Sequence, residues 1–364
     1  MFRPFQLLSQ ILLLGLLAVA CNHEEIRPTP PPEPAQWQAH PEVRLDKVLC
    51  ENMLVTENKL YVVGNNYLLT FNSKHQLESS YFLSSQGITL DNGRPFMNKK
   101  FLAYVDNLNQ KINIHLINKP QVSTQIDIKS LDSTFRLIYY CYNQKVAIND
   151  QDELLIPVVS GISNTTAHIL RFQLFTNDNN INAVHQQSVV FATSNTGFHN
   201  LKNVIAHKNN FIFSIQFEGT FQALPDGAIQ KINNITSPYL LKTQDSTFVM
   251  GYASRSEENF SVLVGVEKAP NVWQSFKTSF KEDGGWLRYT TIDNKIMSFF
   301  NRNLLQWSLD LGKGKYYIKR ISLEGLPPYV AIYDVALFKD KVYVTTHNGL
   351  YSKPLKDFFV YEKE

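Results

Sequence analysis

Three features of the chain predict an all-β fold. Short apolar runs recur in register with polar turns, the turns are built from Asn, Asp, Gly and Lys, and no long amphipathic helical stretch interrupts them. Four such units align. Each has an apolar strand, a two- or three-residue turn, a second strand, an Asn/Gly-containing turn and a third strand. Their second strands begin at Lys59, Phe211, Lys295 and Lys341, separated by 152, 84 and 46 residues. With 46 as one repeat, the longer gaps hold three and two repeats. Degenerate copies sit where this requires them, near Phe101, Leu154 and Phe248. The pattern therefore reads as a seven-bladed β-propeller of four-stranded antiparallel blades, since a blade takes about 40–50 residues.

The clearest unit is the last. Val335 to Phe338, Lys341 to Thr346 and Leu350 to Leu355 are rich in residues that suit a pleated surface, and Lys339-Asp340 and His347-Asn348-Gly349 separate them. Asn, Asp and Gly accept the positive φ that tight hairpins need. The first unit (Met53 to Thr56, Lys59 to Val63, Tyr67 to Phe71) and the third aligned unit (Tyr289 to Ile292, Lys295 to Phe300, Leu304 to Leu309) follow the same plan. Further strand-like segments, such as Gln125 to Ile128 and Tyr317 to Ile321, supply the fourth position. A ring of blades buries both faces of each sheet against its neighbours, which one four-stranded sheet cannot do alone. The runner-up is a pair of β-sandwiches, which requires no seven copies.

Composition fits a large folded body. The chain has 364 residues, of which 44% are hydrophobic and 18% charged, and this excludes whole-chain disorder. The net charge of +3 is too small for an electrostatic grip on nucleic acid. Three cysteines exclude a disulfide scaffold. Cys50 and Cys141 fall in separate predicted blades and read as buried thiols, with pairing left open.

The N-terminus carries an address. Arg3 precedes an apolar run from Leu7 to Ala20. Fourteen residues make about 21 Å of helix, short of the roughly 30 Å bilayer core, so residues 1–20 read as a signal peptide. Ala18-Val19-Ala20-Cys21 resembles the lipobox of bacterial lipoproteins. That resemblance implies cleavage before Cys21, lipidation of Cys21 and a stable membrane anchor. Within it, Asn22 implies the outer membrane, and Glu24-Glu25 is similar to the acidic pair of surface-export signals. Residues 21–42 contain Pro28, Pro30, Pro31, Pro32, Pro34 and Pro41 and read as an extended tether reaching about 60 Å. The propeller is expected over 43–364.

Chemical motifs are sparse. Over 43–364 the chain resembles β-propeller proteins in general, and Val342 to Tyr351 is similar to the blades of sensor-type propellers. No Trp-Asp dipeptide marks a WD40 repeat. Lys281 to Trp286 partly resembles the Asp-box of sialidase-like propellers, but Lys281 and the early Trp286 depart from it. Gly161 to Thr165 begins like a nucleophile elbow and lacks its closing glycine. Gly312-Lys313-Gly314-Lys315 lacks the first glycine and the Ser/Thr of a phosphate loop. Asp150 to Glu153 has alternate carboxylates, but Leu155 stands where a calcium loop needs glycine. No motif calls for a cofactor or a metal.

These observations favour a non-catalytic binding or scaffold module on the outer membrane, with a protein or glycan partner. Arg94, His199, Arg255, Trp286 and Tyr329 are the candidate contacts, because aromatic and Arg side chains in loops make strong interface anchors. The alternative is a propeller enzyme acting on extracellular glycans. Its paired carboxylates, about 5–10 Å apart, would come from Glu282, Asp283 and Asp91.

Overall fold

The computed structural model describes residues 34–362, apart from 44–49, 65, 84–94, 107, 138–145, 161–165, 178, 192–200, 216–218, 234–247, 254–259, 270–271, 281–287 and 311–314. The chain divides into Met1–Pro34 and a second unit, Ala35–Glu364, which holds all the strands below.

Strand β1 (Gln38–Ala39) precedes the first full sheet, made of β2 (Cys50–Val55), β3 (Lys59–Gly64), β4 (Tyr67–Asn72) and β5 (Leu77–Phe82). The second sheet contains β6 (Phe96–Met97), β7 (Phe101–Asp106), β8 (Lys111–Leu116) and β9 (Lys119–Asp127), and the one-turn helix α1 (Ile128–Leu131) follows. In the third sheet β10 (Arg136–Leu137) and β11 (Ala147–Ile148) share one partner, β12 (Glu153–Ser160), which continues to β13 (Thr166–Asn177) and β14 (Asn180–Phe191). The fourth comprises β15 (Leu201–His207), β16 (Asn210–Ile215), β17 (Gly219–Ala223) and β18 (Ile229–Asn233). Three described strands, β19 (Phe248–Ala253), β20 (Phe260–Ala269) and β21 (Val272–Phe280), make the fifth. The sixth is β22 (Arg288–Ile292), β23 (Lys295–Phe300), β24 (Asn303–Asp310) and β25 (Lys315–Arg320). The last contains β26 (Ile332–Phe338), β27 (Lys341–Thr346) and β28 (Gly349–Pro354), before helix α2 (Leu355–Phe358).

The result is an all-β propeller of antiparallel, mostly four-stranded blades. The described strands hydrogen-bond into seven separate sheets. A strand occupies each of the second-strand positions read from the repeat, at β3, β7, β12, β16, β19, β23 and β27.

Burial along each blade follows from stacking. Strands β3, β7, β16 and β27 are buried at five of six positions, because neighbouring blades cover both faces. The outer strand β5 is exposed or half-exposed throughout, and β9 alternates for most of its length. Apolar clusters straddle successive sheets. Tyr61 and Val63 meet Leu102 and Tyr104 between the first and second, Phe101 and Ile112 meet Leu154 and Phe172 between the second and third, and Leu155 and Ile169 meet Phe211 and Phe213 beyond that. Leu60, Val62 and Phe71 of the first sheet pack on Phe338 and Tyr343 of the last.

Turn chemistry sets the registers. Asp293 and Asn294 both have positive φ (49° and 59°), the type I′ hairpin that brings Ile292 opposite Lys295. Asn98 Oδ1 accepts the amides of Lys100 and Phe101, and Asn149 Oδ1 those of Gln151 and Glu153.

Polar side chains near the starts of inner strands reach across to the next blade. Asn52 Nδ2 donates to Pro95 O (2.6 Å), Arg288 Nη1 to Tyr333 O (2.7 Å), and Asp334 Oδ2 accepts from Met53 N (2.7 Å). Asp334 is buried, and its carboxylate accepts from the Met53 amide, which also reaches Asn52 Oδ1 at 3.0 Å, and from the amide of Val335. Farther out, the buried Arg171 of β13 donates to Leu224 O and Pro225 O of the fourth sheet and sits 3.5 Å from Glu153.

The folded body starts before residue 43. β1 pairs antiparallel with β28, with Gln38 opposite Ser352 and Ala39 opposite Tyr351, so the N-terminal segment supplies the fourth strand of the last blade. Trp37 is 3% exposed, packs edge-on against Phe358, and donates its amide to Glu324 O. Gly325 has φ +93°, and a Cβ there would lie 2.6 Å from Trp37 N, so the turn that receives Trp37 needs glycine. Residues 35–42 therefore belong to the fold and not to the extended tether. The C-terminal segment adds a second latch, with Ser322 N donating to Val360 O, Glu362 N to Arg320 O, and Tyr361 Oη bonded to Gln306 Oε1.

A third link spans the seam between the first and last blades. His75 Nε2 meets Asp340 Oδ1 at 2.9 Å, and Tyr343 Oη meets His75 Nδ1 at 2.8 Å. His75 O is 3.0 Å from His40 Nε2. The hydrogen bond from His75 holds the Asp340 carboxyl below the usual carboxylate range, and burial holds the Tyr343 phenol above its ordinary value.

Two outcomes follow. Trp37→Ala is expected to destabilise the body by about 3–5 kcal/mol in urea unfolding, in line with other large-to-small core changes. Because the Asp340 pKa is lower folded than unfolded, its contribution is full above about pH 3.9 and disappears as pH falls through the depressed folded value. His75→Ala should return the Asp340 titration, followed by NMR, toward about 3.9.

Candidate functional site

In an antiparallel blade, turns between first and second strands and between third and fourth strands open on one face of the ring. Turns between second and third strands and the links between sheets open on the other. The link from β25 to β26 lies on this second face and carries the exposed aromatic singled out from sequence.

That link is pinned along its length. Leu323, Leu326 and Val330 are buried among residues of the sixth and last sheets. Ile332 N donates to Asn301 O, and Ala331 N is 3.1 Å from His347 Nδ1, which ties the link to the β23–β24 and β27–β28 turns. Between the anchored residues, Pro327 and Pro328 lead into Tyr329. Tyr329 is 91% exposed and has φ +66°. A left-handed conformation costs a non-glycine residue about 1–2 kcal/mol, and here it holds a large ring in solvent.

Beside the start of this link is a groove of about 300 Å³ lined by Arg302, Asn303, Arg320, Ser322, Glu324 and Glu362. It forms where both ends of the folded body latch on. Glu324 Oε1 accepts from Gln36 Nε2 at 3.0 Å, and Arg320 Nε is 3.8 Å from Glu362 Oε2. Two guanidinium groups and two carboxylates thus face a shallow, open surface. This is a surface of mixed charge.

A hydroxyl–imidazole pair lies at the seam of the second and third blades. Ser160 Oγ is 2.7 Å from His168 Nε2. Partial burial, with Phe135 packed on the ring at 4.8 Å, pushes the His168 pKa down, and the nearby Asp132 charge partly opposes this. Asp132 is itself held low by the amide and hydroxyl of Thr134. The imidazole is therefore poised to be neutral and to share a proton with Ser160, while the carboxylate is engaged by the Thr134 turn.

Of the residues predicted from sequence, Tyr329 is the one the structure describes, and it is exposed. Cys21, Arg94, His199, Arg255 and Trp286 lie outside the described residues, as do Asp91, Glu282, Asp283 and Cys141. Cys50 begins β2, but its side chain is outside the description. Among the described residues there is no cluster of three His, Cys, Asp or Glu that could hold a metal, and no helix long and apolar enough to cross a membrane.

Arg302, Arg320 and Glu362 were not marked by sequence reading. Arg302 sits in a turn recognised only as a turn, Arg320 ends a strand, and Glu362 is far along the chain. Their meeting depends on the C-terminal latch.

No protein-family profile matches the chain, and no curated protein matches it in sequence. Solved structures match its fold. Over 87% of this chain and 98% of the other, it is similar to a catalytically inactive virginiamycin B lyase from Staphylococcus aureus, with 10% identity and a TM-score of 0.54. Over 87% of this chain and 95% of the other, it is similar to the Pan2 WD40 domain of Neurospora crassa, with 8% identity and a TM-score of 0.51. At these identities the likeness shows the β-propeller fold and nothing finer.

The strain at Tyr329 gives a prediction. Tyr329→Gly should leave stability unchanged or raise it by up to about 1 kcal/mol, because glycine adopts φ +66° without steric cost. Thermal unfolding of the two proteins checks it.

Proposed function

We propose that this protein is an outer-membrane lipoprotein, anchored through Cys21, whose propeller of seven blades is a non-catalytic binding module for a protein or glycan partner. The observation that carries the reading is Tyr329, a bulky aromatic side chain held in solvent by a strained backbone between buried anchors. A rigid exposed aromatic ring offers contact area at low entropic cost and is a common interface anchor. Arg302 and Glu324 line the groove at the start of the same link and supply polar groups of both signs. The anchor reading rests on the lipobox-like Ala18 to Cys21 and the proline-rich segment that follows.

Capture of partners from detergent-solubilised membranes tests the proposal. Tyr329→Ser should reduce recovery of the partner at least tenfold with the melting temperature preserved, and Arg302→Glu should reduce it further. The same preparation should yield a lipid-modified Cys21 by mass spectrometry. Equal capture by the Tyr329 variant would remove this surface from the proposal. An unmodified N-terminus would remove the anchor, and turnover of a glycan by the purified protein would replace binding with catalysis.

A further inference from the structure

The outer strand of the third blade differs from its counterparts. β14 is twelve residues long and contains no Lys, Arg, Asp, Glu or Pro. Among the described strands it ends the strand order of its sheet and pairs only with β13. Every other described outer strand longer than two residues carries charge. Glu78 is in β5, Lys119 and Asp127 are in β9, Lys231 is in β18, Lys277 is in β21, and Lys315, Lys319 and Arg320 are in β25. Charged residues and proline are how sheet edges are kept from pairing with other chains. β14 has only the bulge opposite Arg171 and Phe172. The hairpin also exposes apolar side chains at Phe175 (53%), Val184 (45%) and Val190 (60%).

We infer that β14 is a docking edge for a second copy of this chain, which adds its own β14 antiparallel and joins two propellers edge to edge about a two-fold axis. Charge selects this occupant. Two-fold pairing of a strand with itself sets its side chains against the same set in reverse, so a strand with charges of one sign meets like charge. β25, with three basic residues, would repel its copy, whereas β14 brings no charge to the contact. Length agrees, since two twelve-residue strands match over about 40 Å at 3.4 Å per residue. A contact in which each copy presents one and the same patch closes as a dimer and leaves no free β14 edge. This inference is independent of the Tyr329 surface, which lies at a different blade junction.

The test is the oligomeric state of the full chain, by light scattering with the detergent contribution subtracted. The wild-type protein should show twice the mass of its own monomer. V184K/V190K should halve that mass while keeping its near-ultraviolet dichroism. Mixing V184K/V190K with V184E/V190E should restore the double mass through opposite charges. Hydrogen exchange of the wild-type protein gives a reading that does not depend on how the variants fold, and β14 amides should gain protection as concentration rises. A wild-type chain that stays monomeric at about 100 μM would overturn the inference. So would a dimer untouched by V184K/V190K, one whose β14 amides show no added protection, or a wild-type monomer whose β14 instead takes up an extended strand of a different protein.

Discussion

Ring closure is the constraint on which the rest of this structure depends. A blade buries its inner strands only if a neighbour covers each face, so the first and last blades are stable only when they meet. Closing a loop of about 300 residues costs roughly 5 kcal/mol from its length-dependent part alone. The few backbone hydrogen bonds between β1 and β28, at about 1 kcal/mol each, do not offset that. The apolar contacts do. Trp37 sits against Phe358 in the cluster of the sixth and last blades, while Val43 enters the cluster shared by the first and last. The N-terminal segment therefore spans two seams and couples three blades.

Polar links refine the seams that apolar packing creates. Asn52, Arg288 and Asp334 each join an inner strand to the next, and two of these blades carry a bulge at the linking position, between Cys50 and Asn52 and between Ile332 and Asp334. A bulge re-aims one side chain without breaking the ladder. At these three links a polar group is matched to a neighbour's backbone, which lets Asn52, Arg288 and Asp334 sit in an otherwise apolar interior. Farther from the axis, Arg171 donates to backbone carbonyls of the next blade, while His75 joins Asp340 and Tyr343 side chain to side chain across the closing seam. Position in the ring, and not the local sequence, assigns these roles.

The two exposed surfaces arise by different means. Tyr329 is exposed because Leu326 and Val330 take the buried positions on either side of it, and the turns at Asn301 and His347 fix the backbone between them. β14 is exposed because it is the last strand of its sheet, and its hairpin extends through strands of twelve residues where the other described outer strands have two to nine. The Arg302 and Arg320 groove owes its form to the chain ends, which contribute Gln36 from one side and Glu362 from the other.

Sequence alone determined the strands, their hairpin turns and the repeat. These are local properties: alternation of apolar residues, β-branched and aromatic content, and Asn, Asp or Gly where φ turns positive. The irregular copies near Leu154 and Phe248 were still legible because both read as apolar runs of strand length. Tertiary structure decided the start of the fold, because β1 is two residues in a proline-rich segment whose partner, β28, is more than 300 residues away. Nothing in the local pattern of Trp37 to Ala39 distinguishes a blade strand from a tether. It also decided which side chains are free to act. Sequence placed Tyr329 in a loop, but its exposure depends on what its neighbours bury, and the meeting of Arg302, Arg320 and Glu362 depends on a latch between distant segments. Pairing over such separations follows from which surfaces remain uncovered once the blades have stacked, and that is a property of the ring as a whole.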